Sequence, residues 1–63
     1  MNSAVARVGD FIRIVRLDDP FDKTYNGRRG FVRHIDSMGQ LHGTWGSLAV
    51  IPEVDEFVII KHD

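Results

Sequence analysis

The sequence predicts an all-β fold, and more narrowly a small five-stranded SH3-like barrel with one 3₁₀ turn before the last strand. Short runs rich in β-branched and aromatic residues alternate with Gly, Pro, Asn and Asp turn signals, and no segment sustains a helical period. A chain of 63 residues holds one core only. We therefore expect a flexible N-terminus at residues 1–7 and a single SH3-like barrel domain at residues 8–61.

The first two predicted strands flank the longest loop. Residues 11–17 form the first strand, and a Gly9-Asp10 bend introduces it. Residues 18–27 form the loop, which contains Pro20 and so lacks one donor for a β ladder. Asn26-Gly27 accepts left-handed backbone angles and turns the chain into a second strand at residues 29–36. Both faces of this strand carry apolar residues, which predicts a bulge near Arg33.

Three further strands are predicted in the second half of the chain. Ser37-Met38-Gly39 is a hairpin loop with Gly39 at positive φ, leading to a strand at residues 40–45. Gly46-Ser47 predicts a type II′ turn that sets Trp45 opposite Leu48, before a strand at residues 47–51. Residues 52–55 form the 3₁₀ turn, and residues 56–61 the fifth strand. An oligonucleotide-binding barrel is the alternative fold, but it needs a helix where this chain has the Gly46-Ser47 turn.

Residues 8–60 also carry a family resemblance. The pattern consists of Val8-Gly9-Asp10-Phe11-Ile12-Arg13, Gly27 followed by Gly30-Phe31-Val32, Ile35-Asp36, Gly39-Gln40-Leu41-His42, Trp45, and Ser47-Leu48-Ala49-Val50-Ile51-Pro52 ahead of Asp55-Glu56-Phe57. It resembles a family of small bacterial and phage-associated domains of unknown function, which look like SH3-type barrels. This chain departs from the pattern in having only Gly46 between Trp45 and Ser47, where the family usually carries a slightly longer turn. The resemblance implies the fold and no activity.

Composition narrows the cellular setting. The chain has no cysteine, which excludes disulfides and Cys-ligated zinc and favours a reducing cytoplasm. The N-terminal segment lacks the apolar core of a signal peptide, and no run approaches the roughly 20 apolar residues of a membrane span. We therefore expect a soluble cytoplasmic protein that does not act at a membrane. Basic residues outnumber acidic ones before residue 34, and acidic residues outnumber basic ones after it. This asymmetry is compatible with two differently charged faces, but we expect the two sets largely to neutralise each other in the folded chain.

The sequence shows no recognisable catalytic or metal-binding pattern. Its three serines lie in the N-terminus or in predicted turns, without a His and carboxylate frame. His34, His42 and His62 lack metal-ligand spacing, and we expect His34 and His42 to form a solvated pair across their hairpin. The aspartates of the long loop lack the spacing of a calcium loop. We predict no enzyme activity, no cofactor and no metal.

The candidate binding residues lie between positions 16 and 33. Phe21 and Tyr25 are the aromatic residues expected to be most exposed, while Trp45 is expected in the core. Gly27-Arg28-Arg29-Gly30 holds two arginines between flexible glycines, which suits phosphate or carboxylate binding, although turn geometry and solubility also explain it. Arg16 and Arg33 extend this basic surface.

Three functions fit these residues. The favoured one is a non-catalytic protein-interaction adaptor that uses the loop region 18–33, with Phe21 and Tyr25 as anchors; a phage or mobile-element accessory role is implied by the resemblance alone. A nucleic-acid-binding module would use the five arginines Arg13, Arg16, Arg28, Arg29 and Arg33. A homo-oligomer subunit would pair an edge strand at residues 57–61 with a second copy. Convergence of Arg16, Arg28, Arg29 and Arg33 on one face favours nucleic acid, and their dispersion favours a protein partner.

Overall fold

In a computed structural model, the chain folds into one antiparallel sheet of five strands, and the structure describes residues 5–19 and 23–63. The strands follow the order β4-β3-β2-β1-β5 across the sheet. Their bounds are β1 Phe11–Arg16, β2 Arg29–Ile35, β3 Leu41–Gly43, β4 Gly46–Val50 and β5 Glu56–Lys61. The predicted all-β class with five strands is confirmed. The described sheet is not closed into a barrel, and β4 and β5 are its edge strands.

The core lies on one face of this curved sheet. Alternation along β1 turns Ile12 and Ile14 inward, and both are fully buried, as is Val32 on β2. The remaining buried apolar residues are Ala6, Leu17, Leu41, Trp45, Val50 and Phe57. Ala6 comes from the segment expected to precede the domain, so packing begins before residue 8.

Trp45 is a core residue, as predicted, with 3% of its surface exposed. Its Nε1–H donates to the Leu48 carbonyl oxygen at 2.8 Å, which satisfies the one polar atom of the ring. Two glycines make room for the indole. A Cβ on Gly43 would lie 2.6 Å from Cη2 of the ring, and a Cβ on Gly30 would lie 3.1 Å from Cε3. Gly30 and Gly43 therefore form a niche for Trp45 on strands β2 and β3.

The β3–β4 turn differs from the prediction. It lies at residues 44–45, with Gly43 paired to Gly46, and β4 begins at Gly46 rather than after it. The expected Gly46-Ser47 turn, with Trp45 opposite Leu48 on paired strands, was wrong. The physical reason is that Trp45 folds back into the niche beside Gly43, so it cannot continue β3. The backbone then needs Gly46, whose φ is 145°.

Two local backbone predictions are confirmed. Gly27 and Gly39 have φ values of 87° and 81°, the left-handed conformation expected at these two reversals. A register shift between Val32 and His34 confirms the irregularity predicted near Arg33.

Before β5 the chain makes a turn at residues 52–54, although the described residues include no 3₁₀ helix. The amides of Val54 and Asp55 both donate to the Ile51 carbonyl, at 3.1 and 2.8 Å. The second of these bonds spans four residues, which opens the turn beyond 3₁₀ geometry. Asp55 accounts for this shape. Its buried carboxylate accepts the Ile51 N–H at 2.8 Å and the Asp18 N–H at 2.7 Å, which ties the turn to the end of β1.

The part of the chain that the structure describes contains no helix long and apolar enough to cross a membrane.

Candidate functional site

The outer face of strands β5, β1 and β2 carries large side chains that the core does not use. Because side chains alternate across a strand, burial of Ile12 and Ile14 turns Phe11 and Arg13 outward. On β2, burial of Val32 likewise turns Phe31 outward. We call this surface the outer face. It consists of Phe11, Arg13, Arg29, Phe31, Arg33, Val58, Ile60 and Lys61.

An aromatic row crosses the outer face. Phe11 pairs with Phe31 on β2 and with Lys61 on β5. The ring centroids of the two phenylalanines are 4.8 Å apart and their planes are tilted by 53°. The Arg33 guanidinium lies over the Phe31 ring, with its Cζ 5.8 Å from the centroid. Phe31 is 46% exposed, so an aromatic surface is open to solvent on the sheet.

A basic row lies next to the aromatic row. Arg13 on β1 is directly opposite Arg29 on β2, and Val58 on β5 is the other neighbour of Arg13. Like charges directly opposite each other destabilise a sheet. Within residues 5–19 and 23–63, neither guanidinium forms an ion pair with a carboxylate. The fold therefore holds two positive charges together without a described counter-charge.

A cleft opens at the end of the aromatic row. Its volume is about 490 Å³, and it is lined by Phe11, Phe31, Lys61, His62, Asp63 and Gly9. The Asp63 side chain lies against Gly9, where a Cβ would come within 2.6 Å of its Oδ2. The cleft thus combines aromatic carbon, one lysine and one carboxylate.

Asp10 positions the cleft wall formed by residues 62 and 63. This buried carboxylate accepts the Arg7 N–H at 2.9 Å and the Asp63 N–H at 3.1 Å, and its Oδ2 is 3.2 Å from His62 Nδ1. The hydrogen bond from Arg7, followed by those from Asp63 and His62, holds the pKa of Asp10 below its ordinary value of 3.8, although burial opposes the shift. Asp10 therefore connects the chain before β1 to the chain after β5.

Two predicted site residues, Tyr25 and Arg28, stabilise the β3–β4 turn. The Arg28 Cζ lies 4.5 Å from the centroid of the Tyr25 ring, and Nη1 donates to the Trp45 carbonyl at 3.0 Å. Tyr25 is half-buried and packs over Gly46, where a Cβ would lie 2.7 Å from its ring. Both side chains thus contact the turn that places Trp45.

The predicted arginines do not converge on one face, and this dispersion by itself favours a protein partner over nucleic acid. Arg16 pairs with Glu56 at 3.0 Å near the end of β1, and Arg28 is bonded at the β3–β4 turn. Arg29 and Arg33 do share the outer face, where Arg13 joins them. Phe21 lies outside the described residues. Phe31 and Lys61 are site residues that were not predicted. The alternation of Arg29, Phe31 and Arg33 along β2 is a signal for Phe31, and no comparable pattern on β5 marks Lys61.

The two predicted cross-strand histidines do face each other. His34 pairs with His42, and their ring centroids are 5.6 Å apart. His42 Nε2 lies 2.9 Å from Asp36 Oδ2, and this contact is the main cause that lowers the pKa of Asp36. Among the residues that the structure describes, no group of three or more His, Cys, Asp or Glu side chains is arranged to hold a metal ion.

The fold and the outer face together define a small all-β domain with an aromatic and basic sheet surface. The chain belongs to the family described as Domain of unknown function (DUF4314), whose model matches residues 6–60. No curated protein matches the chain, and no solved structure matches it.

Proposed function

We propose that this domain is a non-catalytic binding module that binds nucleic acid through the outer face. The observation that carries the proposal is the Arg13–Arg29 pair beside the Phe11–Phe31 pair, in which Phe31 is exposed. This grouping, rather than the dispersed predicted set, favours nucleic acid. Opposed arginines without a described carboxylate partner cost folding free energy, and a bound polyanion offsets that cost. Arg33 and Lys61 add positive charge at the ends of the same surface.

Local charge matters more here than the net charge of −1. The described carboxylates nearest to this surface are already engaged or lie at its ends. Glu56 is paired with Arg16, Asp10 is buried under three hydrogen-bond donors, and Asp63 lies at the far side of the cleft. The basic row between them can therefore attract phosphates.

The test is fluorescence anisotropy with labelled single- and double-stranded DNA and RNA, titrated at several salt concentrations. We expect binding that weakens with salt. In the double variant Arg13→Gln/Arg29→Gln, the slope of log affinity against log salt concentration should become shallower by about 1.4 for a single strand, which is about 0.7 for each lost phosphate contact. Arg16→Gln removes one charge at the pair with Glu56 and serves as the control, with an unchanged slope. Failure of every probe to bind at low salt contradicts the proposal, as does an equal loss of slope per charge in the control.

A protein partner is the second candidate function, because the outer face is also apolar. Val15, Phe31, Val58 and Ile60 are 43–50% exposed on strands β1, β2 and β5. An adaptor would use this surface or the predicted loop region 18–33 with Tyr25 and Phe21, and a homo-oligomer would pair β5 edges. Sedimentation equilibrium at high protein concentration distinguishes these cases, since a monomer mass excludes β5 pairing.

We further propose that the domain has an SH3-like topology and acts in the cytoplasm. The order β4-β3-β2-β1-β5, in which the last strand returns beside the first, supports an SH3-like barrel topology. Absence of cysteine supports a reducing cytoplasm as the site of action. A bacterial or phage-associated role follows from the family resemblance alone and stays a prediction.

A further inference from the structure

We propose that the ligand is single-stranded and that one of its unpaired bases enters the cleft and stacks on Phe31. This inference rests on the proposed nucleic-acid function and names the form of the ligand and the position of the base. Its basis is that the cleft, the aromatic row and the basic row are adjacent on the same three strands.

The aromatic row requires an unpaired base. Bases of a duplex are stacked inside it and cannot lie on a ring that projects from the side of a sheet, whereas single strands present their faces to aromatic side chains. Phe31 is 46% exposed, and its ring packs 4.8 Å from Phe11 at a tilt of 53°, so the two rings offer separate faces to a base. The Arg33 guanidinium lies over the Phe31 ring, 5.8 Å from its centroid, where a base stacks on the guanidinium or takes its place on the ring.

The size of the cleft fits one base and its sugar. At about 490 Å³ it lies within the roughly 300–1,000 Å³ of ordinary small-ligand sites. A chain that continued beyond this base would pass over the basic row, because Arg13 is two residues from Phe11, or about 7 Å along the strand.

Charge separates the base from the phosphates. The Asp63 carboxylate repels a phosphate in the cleft and accepts hydrogen bonds from the amino group of a base. Lys61 lies opposite Phe11 at the other wall, where its ammonium can contact the phosphate that follows the base. The base therefore enters the cleft and the backbone stays on the arginine side.

The experiment compares single-stranded and duplex oligonucleotides that contain 2-aminopurine, whose fluorescence falls when it stacks on another ring. We expect the wild-type protein to quench the single-stranded probe and to bind it more tightly than the duplex. Phe31→Leu keeps the apolar volume and removes the ring, and we expect affinity for the single strand to fall about tenfold. Val54→Ala truncates a similarly exposed apolar residue in the turn before β5, away from the outer face, and serves as the control, with unchanged affinity.

The outcomes separate this inference from the proposed function. One outcome is salt-dependent binding without quenching, in which the duplex binds equally well and Phe31→Leu keeps wild-type affinity. This outcome overturns base stacking but leaves the proposed nucleic-acid binding intact. An equal loss in Val54→Ala and Phe31→Leu shows that truncating any exposed apolar side chain lowers the affinity, and it also overturns base stacking. No binding of any nucleic acid at low salt refutes both. Urea denaturation of each variant shows that the fold is retained, and quenching by the wild-type protein does not depend on any substitution.

Discussion

Replacing Gly43 with alanine tests how the core is built. Gly43 lies on β3 opposite Val32, and the indole of Trp45 occupies the space where a side chain would be. An added Cβ would overlap the carbonyl oxygen of Phe31 and would lie 2.6 Å from Cη2 of Trp45. Neither neighbour moves easily, because one is backbone within β2 and the other is the largest side chain of the core.

The expected cost follows from these contacts. Overpacking a core costs about 1–3 kcal/mol, and a clash with backbone puts this substitution at about 3 kcal/mol or more. A domain of this length has about 3–9 kcal/mol of stability in total. Gly43→Ala should therefore remove a third or more of the free energy of unfolding.

Urea denaturation followed by Trp45 fluorescence measures this loss, since the chain has a single tryptophan and it is buried. Gly39→Ala is the matched control. A Cβ there meets nothing within 4 Å, but φ is 81°, so the substitution should cost only about 1 kcal/mol. If Gly43→Ala lowers the free energy of unfolding no more than Gly39→Ala does, then contact with Trp45 is not the reason why position 43 requires glycine.

Three further predictions concern polar contacts. The pKa of Asp10 is lower in the folded chain than its ordinary value of 3.8, so the carboxylate stabilises the fold above pH 3.8 and this stabilisation is lost as the pH falls through the lower folded pKa. Thermal melting from about pH 6 to about pH 2.5 should show the loss, and Asp10→Asn should make the melting temperature less dependent on pH over this range. Asp55→Ala should lower the free energy of unfolding by about 2 kcal/mol in urea denaturation, because two part-buried N–H groups lose the buried carboxylate that accepts them. Arg28→Met should cost about 1 kcal/mol through loss of the Trp45 carbonyl bond and the Tyr25 contact, while oligonucleotide affinity stays within twofold of wild type. A fall in affinity comparable with that of the Arg13 and Arg29 variants would place Arg28 in the binding surface instead.

Much of the fold follows from local sequence signals. β-branched and aromatic runs between turn residues are sufficient to predict five strands, and glycines at positions 27 and 39 predict two reversals because only that residue type adopts positive φ without cost. The β3–β4 turn was predicted wrongly for a non-local reason. Local turn chemistry favours Gly46-Ser47, but burial of Trp45 depends on Gly30 of another strand, and the packing of a large indole outweighs the preference of a two-residue turn.

The sequence indicates which residue types form the candidate site, but it does not indicate which of the arginines lie together. The sequence analysis found the arginines of β2 but grouped them with Arg28 and Arg16 because all lie near the long loop. The structure separates them by their partners: Arg28 bonds to Trp45, and Arg16 pairs with Glu56. Distant pairing of β1 with β2, which brings Arg13 opposite Arg29, depends on register and cannot be seen in a local pattern.

The exposure of the two phenylalanines follows from how the core is filled. On the inner face of β2, Gly30 leaves its space to Trp45, and Val32 is fully buried, with Gly43 opposite it on β3. A one-residue shift of β2 would turn Phe31 inward, but its ring would then compete with Trp45 for the same space and Val32 would become exposed. The niche for Trp45 therefore fixes the register that holds Phe31 beside Phe11 and Arg29 beside Arg13. The Phe11–Phe31 contact contributes to sheet stability, but the opposed Arg13 and Arg29 do not. The proposed nucleic-acid ligand, with aromatic faces and negative charge, would account for the arginines beside the rings.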